Sequence, residues 1–153
     1  MDIGIKDVKK SETILHEVLA NQHIYYQKLR NYHWNVQGPH FQELHALFEQ
    51  IYTQVSEDID VVAERIRSLG VQTTGNFSAY LVLATLKEPV TNKISAQEML
   101  QDVLQDTEEL IVQCRQKAEI LGAHQDTGNE DVLIGMMQTH EKHAWFLRAL
   151  LDK

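Results

Sequence analysis

The chain has 153 residues, 43% of them hydrophobic and 24% charged, with a formal net charge of −8 at pH 7. This length and composition are typical of one globular domain, expected over residues 1–153 with residues 1–10 as a short N-terminal arm. The acidic balance argues against a surface that coats nucleic acid, and no apolar run approaches the length of a membrane span.

The first two predicted helices follow from apolar residues at helical spacing. One series covers 14–36 and stops at Gly38 and Pro39, because proline cannot continue a helix. A second series covers 44–66 and holds one face until Gly70 supplies a stop. The turn between them is therefore short.

Two further helices are predicted in the second half of the chain. Ser95 and Glu98 form a capping-box pair, and the helix that they open is expected to run to Gly122. The similar pair Thr127 and Glu130 is predicted to open the last helix, which continues to the C-terminus.

The crossover over residues 71–94 is too long for a tight turn in a bundle. It contains a short helix-like run over 78–87, before Pro89. A long link between helices two and three is what an up-down-down-up bundle requires. The predicted fold class is all-α: a ferritin-like four-helix bundle with a short extra helix in the crossover.

Four potential metal ligands cluster around the first turn. His33 closes the first helix, and His45 lies in the first turns of the second, so the turn can bring their imidazoles together. Asp60 and Glu64 follow at i and i+4 on the second helix and share one face. Two imidazoles and two carboxylates form a nitrogen and oxygen ligand set that suits iron or zinc. Taken alone, the carboxylates also fit a solvated helix face, and a histidine at a helix end also fits a cap.

Helix geometry shows that these four residues cannot hold one ion within a single chain. His45 and Asp60 lie about 22 Å apart along one helix, whereas metal–ligand bonds are about 2.0–2.2 Å long. A common site therefore requires carboxylates from a second subunit. The angular positions agree, because one strip of the second helix contains His45, Glu49, Tyr52, Ser56, Asp60 and Ala63. Two such strips packed antiparallel about a twofold axis would generate two equivalent sites.

These residues resemble the Dps family of miniferritins, the DNA-binding proteins from starved cells. The likeness rests on His33, His45, Asp60 and Glu64 at the family's spacing, and on the flanking runs YHWN, GPHF and AERI. It spans the whole chain and implies a cage of twelve subunits built from twofold dimers. In such a cage Fe(II) is oxidised at the twofold interfaces, with hydrogen peroxide as the preferred oxidant. The Fe(III) mineral is stored inside, which protects the cell against oxidative damage. Iron is the implied metal, and zinc or other divalent metals can occupy the same site.

The resemblance also suggests accessory residues. Glu49 stands where family members often carry an aspartate, so its part in holding a second iron is open. Trp34 resembles the family's tryptophan near the iron, a sink for oxidising equivalents, and it equally fits an interface-packing aromatic. Asp126, Glu130 and Asp131 resemble the acidic threefold pores, which concentrate cations. They also fit stabilisation of a helix N-terminus.

Three alternatives compete with this prediction. An ordinary ferritin builds its centre inside one bundle from Glu-x-x-His pairs, and none of the eight histidines has a glutamate three positions before it. Five further histidines are interpreted as surface or packing residues: His16, His23, His124, His140 and His143. A zinc-holding structural assembly and a nucleoid-compacting DNA binder remain.

DNA binding is expected to be weak or absent. Residues 1–10 contain three lysines and two aspartates, so their side chains carry a net charge of only about +1. No basic tail is expected after the last helix, so few phosphate contacts are available. The single cysteine, Cys114, excludes an intramolecular disulfide and fits a reducing compartment. The cytoplasm is therefore the expected location, with nucleoid association tied to the DNA-binding alternative.

Overall fold

The long apolar series form two helical hairpins. In the computed structural model, which describes residues 2–89 and 92–152, those residues contain five helices and no strand. Their bounds are α1 Val8–Asn35, α2 Phe41–Ser68, α3 Phe77–Leu83, α4 Ala96–Ala123 and α5 Thr127–Leu150. Helix α1 packs against α2 and α4 against α5, while the short α3 lies on α1. The predicted all-α fold, with a short extra helix in the crossover, is confirmed. Over the described part of the chain, no helix is long and apolar enough to cross a membrane.

The core lies between the hairpins and consists of two apolar clusters. The cluster nearer the α1–α2 turn includes Tyr32, Phe48 and Val103, all with 1% exposure or less. The second cluster lies toward the opposite end and includes Leu15 and Leu133, which are fully buried. Burying one such side chain contributes roughly 1.5–3 kcal/mol. The residues of α2 in these two clusters face the core, so the opposite face of α2 stays on the surface.

The crossover is fastened to α1 by Asn21, which is buried. Its Oδ1 accepts hydrogen bonds from the backbone N–H groups of Thr85 at 2.9 Å and Leu86 at 3.1 Å. Those amides therefore do not continue a helix, and α3 ends at Leu83. The sequence-based expectation of a helix over 78–87 was wrong at its C-terminal end for this reason.

Helix starts agree with the sequence in α4 and differ in α1 and α5. The capping box is confirmed: the Ser95 hydroxyl accepts from the Glu98 N–H, and the Glu98 carboxylate accepts from the Ser95 N–H at 2.7 Å. Asp7 caps α1, so the predicted ten-residue arm ends sooner, and residues 8–10 are helical. The last helix is capped by Asp126 instead of Thr127, which is its first helical residue.

A buried ion pair joins α1 to α4 in the half of the bundle near the α1–α2 turn. The Lys28 ammonium lies 2.7 Å from a carboxylate oxygen of Asp106 and 3.2 Å from one of Asp102. Tyr32 donates its hydroxyl to Asp102. Burial raises the pKa of Asp106 to about 6, although the neighbouring Lys28 acts in the opposite direction. A charge buried this deeply requires its partner, so the network fixes the register of the two helices.

Candidate metal centre

The two histidines of the first turn hold each other in place. Their rings stack with centroids 3.7 Å apart and planes inclined by 13°. The Nδ1–H of His33 donates to the backbone oxygen of His45 at 2.7 Å, and the Nδ1–H of His45 donates to the backbone oxygen of His33 at 2.7 Å. The end of α1 and the start of α2 are thereby joined by a reciprocal pair of hydrogen bonds.

These hydrogen bonds determine the tautomer of both rings. A carbonyl oxygen only accepts, so each Nδ1 must carry the proton. In the neutral imidazole the lone pair is then on Nε2, which is free to bind a metal. An Nδ1–H anchored on a backbone carbonyl is the usual support of a metal-ligating histidine. His33 is 7% exposed and His45 is half-buried, so the pair lies at the surface edge of the bundle.

The two carboxylates lie farther along α2 and face solvent. Asp60 and Glu64 are both exposed. Asp58, only two residues before Asp60, is instead buried, accepts from Gln54 at 3.1 Å, and has its pKa raised to about 6 by burial. Among residues 2–89 and 92–152, no group of three or more His, Cys, Asp or Glu side chains could hold a metal ion. The four predicted ligands are therefore not brought together within one chain.

The strip that connects the histidines to the carboxylates lies on the surface of the single chain. Every member is exposed or half-buried: His45, Glu49, Tyr52, Ser56, Asp60 and Ala63. Glu49 is one turn after His45 and exposed. The strip has His45 at one end and Asp60 near the other, the arrangement that an antiparallel pairing of two such helices requires.

Aromatic side chains lie near the histidines, and sequence reasoning assigned a functional role to one of them, Trp34. Trp34 is 55% exposed, and the Arg30 guanidinium carbon lies 4.8 Å from its ring centroid. The same guanidinium lies over Tyr26 at 5.2 Å. Tyr52 contacts the His33 ring edge-on, with centroids 5.3 Å apart. Its seven-residue spacing from His45 on one helix face was the sequence signal for this contact.

The three acidic residues near the start of α5 occupy different environments. The Asp126 carboxylate is 1% exposed and accepts from both the backbone and the side-chain N–H groups of Asn129. Glu130 is half-buried, and its carboxylate covers Gly122, where an added Cβ would lie 2.6 Å from Oε1. Asp131 is exposed. The Asp126 carboxylate is occupied by the helix cap and buried, so it does not fit the predicted pore. Asp131, and after it Glu130, stay as the predicted pore residues.

Several histidines outside the site pack against, or hydrogen-bond to, other parts of the bundle. His16 accepts from the Thr74 N–H at 3.3 Å, and His23 stacks on Tyr80. His140 and His143 are buried in the bundle, and His140 accepts from the Gln22 side chain at 3.3 Å. Burial lowers the pKa of His140 to about 3, with a further contribution from His143. The interpretation of these two as packing residues agrees with their burial.

The chain is similar to known proteins of the ferritin-like class. The family model for the ferritin-like domain matches residues 12–153, so the chain is a ferritin-like domain protein. It is 37% identical over 139 residues to the DNA protection during starvation protein of Brevibacillus brevis, covering 91% of this chain and 93% of that protein.

Solved structures agree with this assignment. Dps from Vibrio cholerae O1, described as a member of a broad superfamily of ferritin-like diiron-carboxylate proteins, aligns with a TM-score of 0.90 and 36% identity, covering 95% of this chain and 91% of that chain. Dps from Thermosynechococcus elongatus aligns with a TM-score of 0.91 and 34% identity, covering 97% and 94%. The chain belongs to the Dps family of ferritin-like proteins.

Proposed function

We propose that this protein is a ferroxidase that oxidises Fe(II) at sites shared between two subunits and stores the Fe(III) product as mineral. His33 and His45 of one chain bind the ion together with Asp60 and Glu64 of its partner. Twelve chains, paired through these sites, enclose the mineral. Hydrogen peroxide is the preferred oxidant, on the strength of the family resemblance, and its consumption limits oxidative damage.

The observation that carries the proposal is the reciprocal hydrogen bonding of the two histidines. Both Nδ1 atoms donate to backbone oxygens at 2.7 Å, which leaves both Nε2 lone pairs available. An Nδ1–H held by a backbone oxygen is the usual support of a metal-ligating histidine, and here both rings have it. Two imidazoles and two carboxylates suit iron or zinc, and four protein ligands would leave coordination positions on iron open for the oxidant.

Iron reaches the interior through acidic pores. Asp131 is exposed one turn into α5, where a ring of carboxylates from neighbouring subunits would concentrate divalent cations. The net charge of −8 per chain acts in the same direction. Glu130 contributes from its position over Gly122.

DNA binding is the second candidate, because the Brevibacillus relative is named for DNA protection. Lys6, Lys9 and Lys10 are exposed at the N-terminus, but Asp2 and Asp7 offset two of their three charges. The Lys6 backbone N–H donates to the His124 oxygen at 2.9 Å, which holds the segment against the bundle. The Lys9 ammonium is 2.9 Å from the Glu12 carboxylate. With few phosphate contacts available, we propose iron detoxification without strong DNA compaction.

The central experiment is anaerobic loading with Fe(II), followed separately by peroxide and by oxygen while ferric absorbance is recorded. Rapid oxidation, clearly faster with peroxide, is the expected result. Metal binding without oxidation above a buffer control would instead favour a zinc-holding structural assembly. If ferric absorbance rises at the same rate with peroxide and with oxygen, the preference for peroxide is wrong, whereas the ferroxidase activity stands.

The DNA candidate is tested by plasmid retardation at physiological salt and neutral pH. We expect little retardation, because the charge of −8 per chain opposes phosphate binding. Firm complexes that disappear when Lys6, Lys9 and Lys10 are changed to Ala would show that twelve weak arms bind DNA together.

A further inference from the structure

Two histidines lie in the interior of the bundle, about one turn apart on α5. His140 and His143 are 1% and 5% exposed, and their rings have centroids 6.4 Å apart and planes inclined by 65°. Within the described residues 2–89 and 92–152, neither Nδ1 atom has a hydrogen-bond partner. A buried polar atom left without a partner costs roughly 1–3 kcal/mol, and here two such atoms belong to neighbouring rings. The pair therefore offers two nitrogen atoms that the described part of the chain leaves unused.

The opposite edge of the His140 ring is held by Gln22. The Nε2 atom of His140 lies 3.3 Å from the side-chain nitrogen of Gln22, whereas the nearby Tyr25 hydroxyl is engaged by Thr107 at 2.7 Å. In the reverse pairing, a rotated amide would accept from Nε2–H through its oxygen, which has no partner among the described residues. The lone pair of His140 would then be on Nδ1. A ring anchored through one nitrogen is the usual form of a metal-ligating histidine.

The spacing of the two rings fits an ion held between them. An ion with bonds of about 2.0–2.1 Å to one nitrogen of each ring, arranged in line, would set the ring centroids about 6 Å apart. The observed separation is 6.4 Å. Both residues are on one helix, at i and i+3, so a rigid element fixes the distance between their Cβ atoms.

The ligand set favours a soft monovalent ion. Zinc in a structural site takes four ligands, and among the described residues no group of three or more His, Cys, Asp or Glu side chains could hold a metal ion. Cu(I) binds two nitrogen donors in line, and its single charge is less costly to bury than a double one. Met136 is buried one turn before His140, and a thioether is a ligand that selects Cu(I).

We propose that His140 and His143 form a Cu(I)-binding site inside the bundle, with one Nδ1 atom of each ring as ligand. This site goes beyond the proposed function and does not depend on iron oxidation. Each chain binds one ion through residues of a single helix, so the site needs no second subunit. Burial of both rings holds the ion away from oxidants in solution.

The experiment first removes the surface histidines, because His33 and His45 are also able to bind Cu(I). Metal-free His33→Ala/His45→Ala protein is titrated anaerobically with Cu(I) held by a competing chelator of known affinity, and we expect one Cu(I) per chain. Adding His140→Gln, or separately His143→Gln, should weaken binding by more than about tenfold, because a ligand is lost. The matched control is His16→Gln, at a half-buried histidine of α1, and it should leave the affinity unchanged.

X-ray absorption at the copper edge gives a second readout that needs no change in the core. The Cu(I)-loaded background protein should show two imidazole rings bound to copper. Far-UV circular dichroism and particle size verify that each protein is folded. Folded background protein that does not bind Cu(I), or that binds it with the same affinity after His140→Gln and after His143→Gln, would overturn the proposal. An absorption spectrum with fewer than two imidazoles would overturn it as well.

Discussion

Subunits that share a metal site can complement each other's defects, and this gives the sharpest test of the candidate centre. His45→Ala removes one ligand from the imidazole half of the site, and Asp60→Ala removes one from the carboxylate half. Each variant assembled alone has every site defective and should lose most fast oxidation. Co-expressed, the two variants should recover part of it.

The size of the recovery follows from the geometry of α2. His45 and Asp60 are about 22 Å apart along the helix, so the proposed twofold pair would contain two separate sites, each with its imidazoles from one chain. In a mixed pair one site collects both defects, while the other receives His45 and Asp60 intact. Random pairing makes about half of the pairs mixed, and one site of two is whole in each, which leaves roughly one site in four active.

The assay is the initial rate of ferric absorbance with peroxide, per mole of chain. Mixing must occur during expression, because an obligate dimer exchanges subunits slowly afterwards, and mass spectrometry should verify the mixed particles. Co-expression of His33→Ala with His45→Ala is the matched control. Both defects then lie in the imidazole half, so every mixed pair has two incomplete sites and no recovery is expected.

Two results would refute the reasoning. Verified mixed particles of His45→Ala and Asp60→Ala that are no more active than either parent would overturn the intersubunit site. Equal recovery in the His33→Ala and His45→Ala control would show that the activity returns for a reason other than complementation.

Three further predictions test the surrounding structure. Because burial lowers the pKa of His140 from 6.5 to about 3, the neutral ring contributes stability that is complete above pH 6.5 and is lost as the pH falls toward 3. As the pH falls from 6.5 toward 3, the Tm of His140→Gln should therefore fall less steeply than the Tm of wild type. Parallel plots of Tm against pH for the two proteins would contradict this. Lys28→Met should cost about 3–5 kcal/mol in denaturant unfolding because Asp106 is left unpaired, whereas Lys9→Met, at a surface pair, should cost less than about 1 kcal/mol. Asp131→Asn should slow mineral growth at unchanged Tm. Asp126→Ala should instead lower the free energy of unfolding by about 1 kcal/mol, because the helix cap is lost. Equal iron uptake by Asp131→Asn and wild type would show that Asp131 does not line a pore.

Local features of the chain were enough to predict most of the bundle. Helical periodicity, the Ser95–Glu98 capping box and the Gly38–Pro39 stop are decided within a few residues, so the sequence determines them directly. The ligand spacing is equally local. Helix rise alone separates His45 from Asp60, which is why the need for a second subunit follows from the sequence without any tertiary information.

Contacts between distant residues decided the rest. Asn21 captures the amides of Thr85 and Leu86, 64 and 65 positions away, and so shortens α3. Periodicity alone could not say that Asp58 turns into the bundle. Nor could it say that His140 meets Gln22 118 positions away. These outcomes depend on which helices pack together and at what register.

The same distinction applies to the site. The sequence determined which residues carry imidazoles and carboxylates and how far apart they lie along the helix. Only the tertiary structure, by folding the start of α2 back against the end of α1, determined that each ring of His33 and His45 donates Nδ1–H to the other's backbone. That pairing leaves the lone pair of each ring on Nε2, because the hydrogen-bond partner of one ring nitrogen determines the tautomer and so the role of the other.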